Sequence, residues 1–484
     1  MATETLRHAV QIPDRLDTQR GLPFAGVAFL VLLWLLVVLA SLDLSGLSVR
    51  SALLIADACV LFVPLVVKAA SNSLDIFEPL VVMNLSLAGM FLGRPLADIV
   101  TGKFIEHGYD ISSSFDEALF VVLIGNLCCQ IGYLSPFSRV VADWLPHPSR
   151  HFDVNKGALW AAFIASVGLG LFGIFAISQG GIRFLIVMLA GRSSAVGNAY
   201  WESSGYLYGA IGLLVPASII FFGLWVMTRR PAFLIGAIVT GFPYMLVTAS
   251  QGARSGMIGL LFSAPMIWYL TKRRRPSPVM IATSLFILMA LFGFVRTHRT
   301  AGHNRNKPEQ SFDAVQSALS LFASDDDEMF DVTALEVEYV PKFMPFHPFG
   351  VATDIVYRGV PRVLYPNKPL DIATSFWSAM LPARAKSTHS RGGTASSLAG
   401  GLYMDSGIVT VAFWMFAIGV VFGTAWLWYQ QNRDSPSALL IYSVAPSVIV
   451  NLFRGSIAGA IASGFFTILP LLLLPLILKF KATH

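Results

Sequence analysis

Apolar runs of about 20 residues, enough to cross roughly 30 Å of hydrocarbon as a helix, recur down the chain between shorter polar stretches. They fall near residues 22–41, 51–70, 76–97, 115–136, 157–178, 205–227, 231–249, 255–271, 277–295, 406–428, 437–453 and 457–479. About twelve transmembrane helices are therefore predicted. Lone strands are excluded, because lipid offers no partner to unpaired backbone groups. The one long interruption divides the chain into residues 1–295 with helices 1 to 9, a connecting segment 296–404, and residues 405–484 with helices 10 to 12.

Composition agrees with this pattern. Of 484 residues, 55% are hydrophobic and 13% charged, and the mean hydropathy of +0.66 exceeds what a soluble globular protein tolerates. The fold class expected is an all-α polytopic membrane protein. Residues 1–21 are too long and too mixed in charge for the basic start of a signal peptide, and VLAS at 38–41 is a weak cleavage site, so the first run is expected to stay as a helix. Cys59, Cys128 and Cys129 all lie in predicted spans. They read as packing residues, and no disulfide framework or cysteine metal site is expected.

Lys and Arg in the short connections set the orientation. With both termini cytoplasmic, the inner connections hold Arg7, Arg15, Arg20, Lys68, Arg139, Arg150, Lys156, Arg229, Arg230, Lys272–Arg275, Arg433, Lys479 and Lys481, whereas the outer ones hold only Arg50, Arg94, Lys103, Arg183, Arg192, Arg254 and Arg454. KRRRP at 272–276 is the strongest anchor, and it puts Arg254, one helix away, on the outer face. Residues 296–404 fall outside as well, a connection long enough to be functional. Their charges are sorted: ten acids against Lys342 from Glu309 to Asp354, then six bases against Asp371 from Arg358 to Arg391. Phe312, Val315, Leu319 and Phe322 at helical spacing predict an amphipathic helix, followed by DDDE at 325–328. No internal repeat of the kind found in transporters is visible.

Cations on the outer face run against the orientation rule and need another cause. Arginine stays charged and presents a planar fork that fits phosphate oxygens, so an anionic lipid headgroup is the natural ligand. Arg254 in QGARSGMIG and Arg454 in NLFRGSI stand among small residues that leave room for a ligand; the alternative for each is an arginine snorkelling to ordinary lipid phosphate. Arg192, Arg358, Arg362, Lys368 and Arg391 are further candidates, while Arg183, Arg299 and Arg384 read as solvated. In HSRGGTASSLAGGLYMDSG at 389–407, a loop able to approach a sugar closely, His389, Arg391, Tyr403 and Asp405 are candidates to meet a saccharide. His389 or Asp405 would serve in catalysis. DDDE can suit a hard cation but reads better as a solvated face. Asp57 and Glu78, costly in a membrane, are either functional or near helix ends.

Four stretches, QGARSGMIG, MFDVTAL, RGVPRVLYPNKP and TASSLAGGLYMDSGIVTV, resemble the Wzy-type O-antigen and oligosaccharide repeat-unit polymerases of bacterial envelopes, members of the C-type class of membrane glycosyltransferases. The resemblance covers most of the chain. It implies polymerisation of undecaprenyl-diphosphate-linked saccharide repeats into a surface polysaccharide on the periplasmic side of the inner membrane. By position, Arg254 matches the arginine of the family's small-residue motif, and Arg362 with Lys368 its proline–arginine and lysine–proline pair. The partners implied are the lipid-linked oligosaccharide and membrane lipids, with a chain-length regulator and a flippase as companions and no nucleic acid.

The expected chemistry is glycosyl transfer without a cofactor or metal. A sugar on a diphosphate already carries a good leaving group, so the protein must position the acceptor hydroxyl and stabilise charge growing on the diphosphate. Arg254, Arg362 and Arg454 are expected to hold the diphosphate, with a carboxylate or His389 for the hydroxyl. The rival readings are an O-antigen ligase, a lipid-linked oligosaccharide flippase, and a non-catalytic scaffold. A flippase would be expected to line a central path with charge and keep its loops short.

Overall fold

A computed structural model describes residues 48–106, 108–178, 209–250, 254–277, 279–281, 283–284, 287, 328–358, 360, 365, 367–380 and 396–479. Seventeen α-helices and one short hairpin are set out below. In chain order they are α1 Val49–Ala70; α2 Pro79–Ala88, a π turn Gly89–Gly93 and α3 Arg94–Thr101; β1 Ile105–Glu106 and β2 Tyr109–Asp110; α4 Phe115–Leu134; α5 Pro136–Trp144; α6 Val154–Ser178; α7 Leu214–Thr228; α8 Pro231–Ser250; α9 Arg254–Thr271; α10 Met329–Tyr339; α11 Gly350–Arg358; α12 Ile372–Met380; α13 Leu398–Ser406; α14 Ile408–Gln431; α15 Pro436–Tyr442; α16 Ala445–Phe453; and α17 Ile457–Lys479.

Among the described residues, nine helical segments are long and apolar enough to span a membrane. Each matches a run predicted from the sequence. The runs at 22–41 and, in most of its length, 277–295 lie outside the described residues, as does the amphipathic helix expected around Phe312. The run at 255–271 forms α9, whose apolar part, Gly259–Thr271, is shorter than the nine.

Charge contacts define one end of the bundle. Arg275 pairs with Asp75 and Arg273 with Asp434, Arg150 lies 3.9 Å from Asp434, Lys156 Nζ donates to the Leu478 carbonyl, and Arg229 stacks over Trp268. The basic residues that set the expected orientation thus tie several turns together at this basic end.

At the opposite end lie α10 to α13 with the β-hairpin. Arg50 at the start of α1 pairs with Asp116 at 2.6 Å, and Ser113 donates to Glu338. Helix α10 is buried from Met329 through Val337, with Phe330 edge-on to Phe115 at 4.8 Å. Met329 to Val340, Phe376, Leu398 to Met404 and Phe453 share one apolar core with α1, α2, α4 and α14. A second core joins α6, α7 and α9 to the basic-end halves of α14 and α17.

The tightest crossing is between α4 and α14. A Cβ on Gly419 would stand 2.0 Å from the Cys129 carbonyl oxygen, and one on Gly423 would stand 2.6 Å from that of Tyr133. The glycines are four apart, the small-residue spacing that lets two membrane helices touch backbone to backbone. Helices α1, α2 and α4 are joined by polar groups. Asn126 donates to Asp57 at 2.8 Å, Asn84 to the Leu61 carbonyl at 2.6 Å, Gln130 to Asn84, and Tyr133 and Lys68 to Glu78. Asp57 therefore sits inside a span, whereas Glu78 caps one.

Gly419→Leu is expected to force α4 and α14 apart and lower stability by roughly 1–3 kcal/mol or more, read as a fall in the midpoint of thermal unfolding in detergent. Gly170→Ala, where nothing lies within 4 Å, is expected to leave that midpoint unchanged or raise it.

Candidate functional site

The site is built around Arg94, which sequence reasoning used only for orientation. Pro95 cannot donate to the Phe91 carbonyl, and the π turn over Gly89–Gly93 takes up the break just before α3. Such turns re-aim the side chains that follow and recur at functional sites. Arg94 then bonds Asp331 of α10 at 2.6 Å through Nη2 and 2.8 Å through Nε, and it lies 3.3 Å from Asp98. Asp331 and Asp98 are 2% and 3% exposed, so this is a buried, forked pair between a spanning segment and the long connection. A cation and an acid four residues apart inside an apolar span is the sequence signal that could have pointed here.

The hairpin adds Glu106, itself buried. Its carboxyl is raised to about 9, chiefly by burial and then by the facing carboxylates of Glu328 and Asp331, with Arg94 opposing them. Two and five residues along α10 from Asp331, Thr333 and Glu336 meet the start of α13. Ser397 caps α13 through the Gly400 N–H at 3.0 Å and shares a hydrogen bond with Thr333; Ser396 donates to Glu336. A Cβ on Gly400 would fall 1.7 Å from Glu336 Oε2, so only glycine lets α13 lie against that carboxyl. Burial raises Glu336 to about 8, with the Ser396 hydrogen bond pulling the other way. The MFDVTAL stretch and SSLAGGLYMDS at 396–406 are thus packed face to face.

Asp405, at the end of α13, is 5% exposed. It accepts from the Val351 N–H at 2.9 Å, from Ser406 at 3.1 Å and from Thr410 at 3.4 Å. It thereby fixes the start of α11. That helix carries Asp354, which the sequence showed only as one acid in a run of ten. Asp354 is half-buried and accepts from the Ile372 N–H at 3.2 Å. It is raised to about 6, chiefly by burial, with that N–H and Arg358 lowering it and Asp371 and Asp405 raising it. Arg358 stands 3.8 Å from Asp371, and Lys368 donates to the Val360 carbonyl at 3.1 Å.

Arg454 closes α16 and is half-buried. Among the described residues it has no acidic partner. Val351 and Ile457 lie in one apolar cluster, with Ile355 and Ala460 packed against it, so α11 and the turn holding Arg454 adjoin. Arg254 opens α9. A Cβ on Gly259 would meet Ser447 at 3.0 Å, and Ser263 donates to the Ser443 carbonyl at 2.7 Å. These contacts make α9 and α16 antiparallel and bring the first residue of α9 level with the last of α16. Tyr442 donates to the Phe77 carbonyl at 2.7 Å, so α2 and α16 rise together and Arg94 ends at the same side as Arg454. His389, Arg391, Arg192 and Arg362 lie outside the described residues, and of Arg254 only the backbone is described. Among the described residues no group of three or more His, Cys, Asp or Glu is placed to hold a metal ion.

Residues 26–483 match the family model of the O-antigen polysaccharide polymerase Wzy. No curated protein and no solved structure matches the chain significantly.

Glu106 and Glu336 hold their protons more tightly folded than unfolded. Their contribution to docking of α10 is full below the ordinary carboxylate value of 4.5 and is lost as pH rises toward 8 and 9. Amide exchange of residues 328–339 is expected to accelerate as pH is raised to 9 beyond the intrinsic base-catalysed increase, and Glu106→Gln with Glu336→Gln is expected to flatten that excess. An equal excess in the double variant would refute the assignment.

Proposed function

The chain belongs to the O-antigen polysaccharide polymerase Wzy family, and from that premise we propose that it joins undecaprenyl-diphosphate-linked oligosaccharide repeats on the periplasmic side of the inner membrane. The observation that carries this reading is the meeting of α9 and α16 ends, where Arg454 is half-buried with no acidic partner among the described residues and Arg254 begins the adjoining helix. A cation at such a place is costly unless an anion meets it, and a diphosphate is the anion a lipid-linked sugar brings.

In the proposed reaction, an acceptor hydroxyl attacks the anomeric carbon of the donor sugar. The bond from that carbon to the diphosphate oxygen breaks, and the lipid diphosphate leaves with the electron pair. Arg254, Arg454 and Arg362 balance the charge that grows on it, with Lys368, Arg358, Arg391 and Arg192 completing a basic approach. The hydroxyl proton passes to a base. Asp354 suits that role, because a carboxylate held near 6 is ionised at neutral pH yet basic enough to take a proton. Asp405 supports it from behind by fixing α11, and His389 is the second candidate. The excess of Lys and Arg at the basic end supports the periplasmic placement of the other end.

Two outcomes test the reading. In a strain deleted for the chain, surface polysaccharide on a gel is expected to collapse to single-repeat material; wild type restores the ladder and Arg254→Ala does not, while Arg254→Lys restores little because the fork is lost. Long chains that persist detached from their usual acceptor would instead make this a ligase. In purified protein, kcat/KM is expected to rise with pH through about 6, as a base that must be ionised requires. Asp354→Asn should lower the rate by roughly 10²–10⁴ and remove that acid limb; an unchanged limb would return the role to His389.

A further inference from the structure

Below the helix ends that carry Arg254 and Arg454 lies a cavity of about 300 Å³. Its walls come from three helices: Ile219 and Phe222 of α7, Ile238 and Phe242 of α8, Leu261 and Ala264 of α9. No charged side chain lines it. Its two serines are satisfied within the protein, Ser218 donating to the Ala237 carbonyl at 2.8 Å and Ser263 to that of Ser443 at 2.7 Å. Nothing in the lining needs water, so the space favours hydrocarbon.

We infer that this groove holds the polyprenyl chain of the substrate whose diphosphate the arginines bind. The inference rests on the diphosphate reading above and adds to it where the lipid lies. Three observations select that occupant. The groove begins at Leu260, six residues into α9, about 9 Å from the helix's first residue at 1.5 Å per residue. It ends near Ile267, so it follows the helix that opens with the diphosphate arginine. Its volume also suits a single chain. At about 300 Å³ it takes part of one chain. Finally, the rim residues Ile238 and Phe242 are 58% and 64% exposed in a spanning helix, so the groove opens sideways to the bilayer and a chain can enter without leaving hydrocarbon.

The consequence is selectivity by tail length. A diphosphate on a ten-carbon prenyl chain, roughly 10 Å long, stops at the top of the groove, whereas a chain of eleven isoprene units fills it. Filling apolar space contributes about 0.8 kcal/mol for each buried methylene, so even a few groups give a preference of tenfold or more.

The test uses the whole protein in nanodiscs and two sugar-free probes, undecaprenyl diphosphate and geranyl diphosphate, with a photoreactive group on the long chain. Wild type is expected to bind the long probe at least tenfold more tightly and to be labelled along α8 and α9. Ala264→Phe fills the groove; it is expected to remove most of that preference while geranyl diphosphate binds as before. Ile235→Phe, on an exposed position of α8 outside the groove, is expected to change neither. A long-chain preference that survives Ala264→Phe, or its absence from wild type, overturns the proposal. So does equal labelling of the groove by a photoreactive phospholipid, which would make it a site for ordinary bilayer lipid. Because binding is read without polymerisation, a polymerase reading that fails on the gel leaves these outcomes unaltered, and a failed groove leaves the gel result standing.

Discussion

The Arg94–Asp331 pair is the contact on which the end of the bundle opposite the basic residues depends. Both groups are removed from water, and such a pair returns little net stability. Its effect is on register: a helix buried through nine consecutive residues can lie against the spanning bundle only where its carboxylate finds that guanidinium, since any other placement strands a charge. With α10 held there, Glu336 meets Ser396, and α13 is set by Gly400. Asp405 at the end of α13 then takes the Val351 N–H and fixes α11, which presents Asp354. A spanning arginine is connected in this way, through three hydrogen bonds and the close packing at Gly400, to the helix that carries the carboxyl proposed as the base.

The spanning helices were legible because lipid enforces a simple rule: each must be apolar for its length, and the nine described spans sit where hydropathy put them. Arg254 and Arg454 stood out because an arginine among small residues at a helix end is a costly choice, and the fold brings the ends of their two helices level. What sequence inspection passed over was burial outside the membrane. MFDVTALEVEY carries an acid at 331 and another at 336 and lacks the apolar stripe of a helix that covers a surface; it is buried on every side, and periodicity is silent when all faces are buried. Asp354 was hidden differently. In a run of ten acids nothing local sets it apart, and its character comes from the Ile372 N–H and its acidic neighbours, which only the fold assembles. The glycines of the α4–α14 crossing were readable as a spacing, but the partner helix was not, because 290 positions separate Cys129 from Gly419, which meet at that crossing.

The polar groups within the membrane have a different character from those at its edge. Asp57, Asn84, Asn126, Gln130 and Tyr133 each find a partner on a neighbouring helix, and together they run as a seam between α1, α2 and α4. That arrangement serves helix association, in which interhelical hydrogen bonds contribute about 0.6 kcal/mol each. A transport path would instead present its polar groups to a cavity. The groove between α7, α8 and α9 is lined without charge.

On the proposed reading, the two substrates meet different parts of the chain. Groups for the donor, Arg254, Arg454 and the apolar groove, begin on spanning helices, which suits a lipid that arrives within the bilayer. The group for the acceptor, Asp354, sits on the long connection, which suits a sugar that arrives from water. Transfer requires the two sets to be held within hydrogen-bond reach of one reacting centre, yet they are separated by a hundred residues in sequence and belong to segments in different solvents. A loop tethered only at its ends cannot supply that precision. Burying α10 in the bundle does, because it makes the water-facing segment as rigid as the helices it rests on. The length of the connection, unusual for a polytopic protein, is then what it takes to carry a buried anchor, a bracing helix and a reactive helix on one strand of chain.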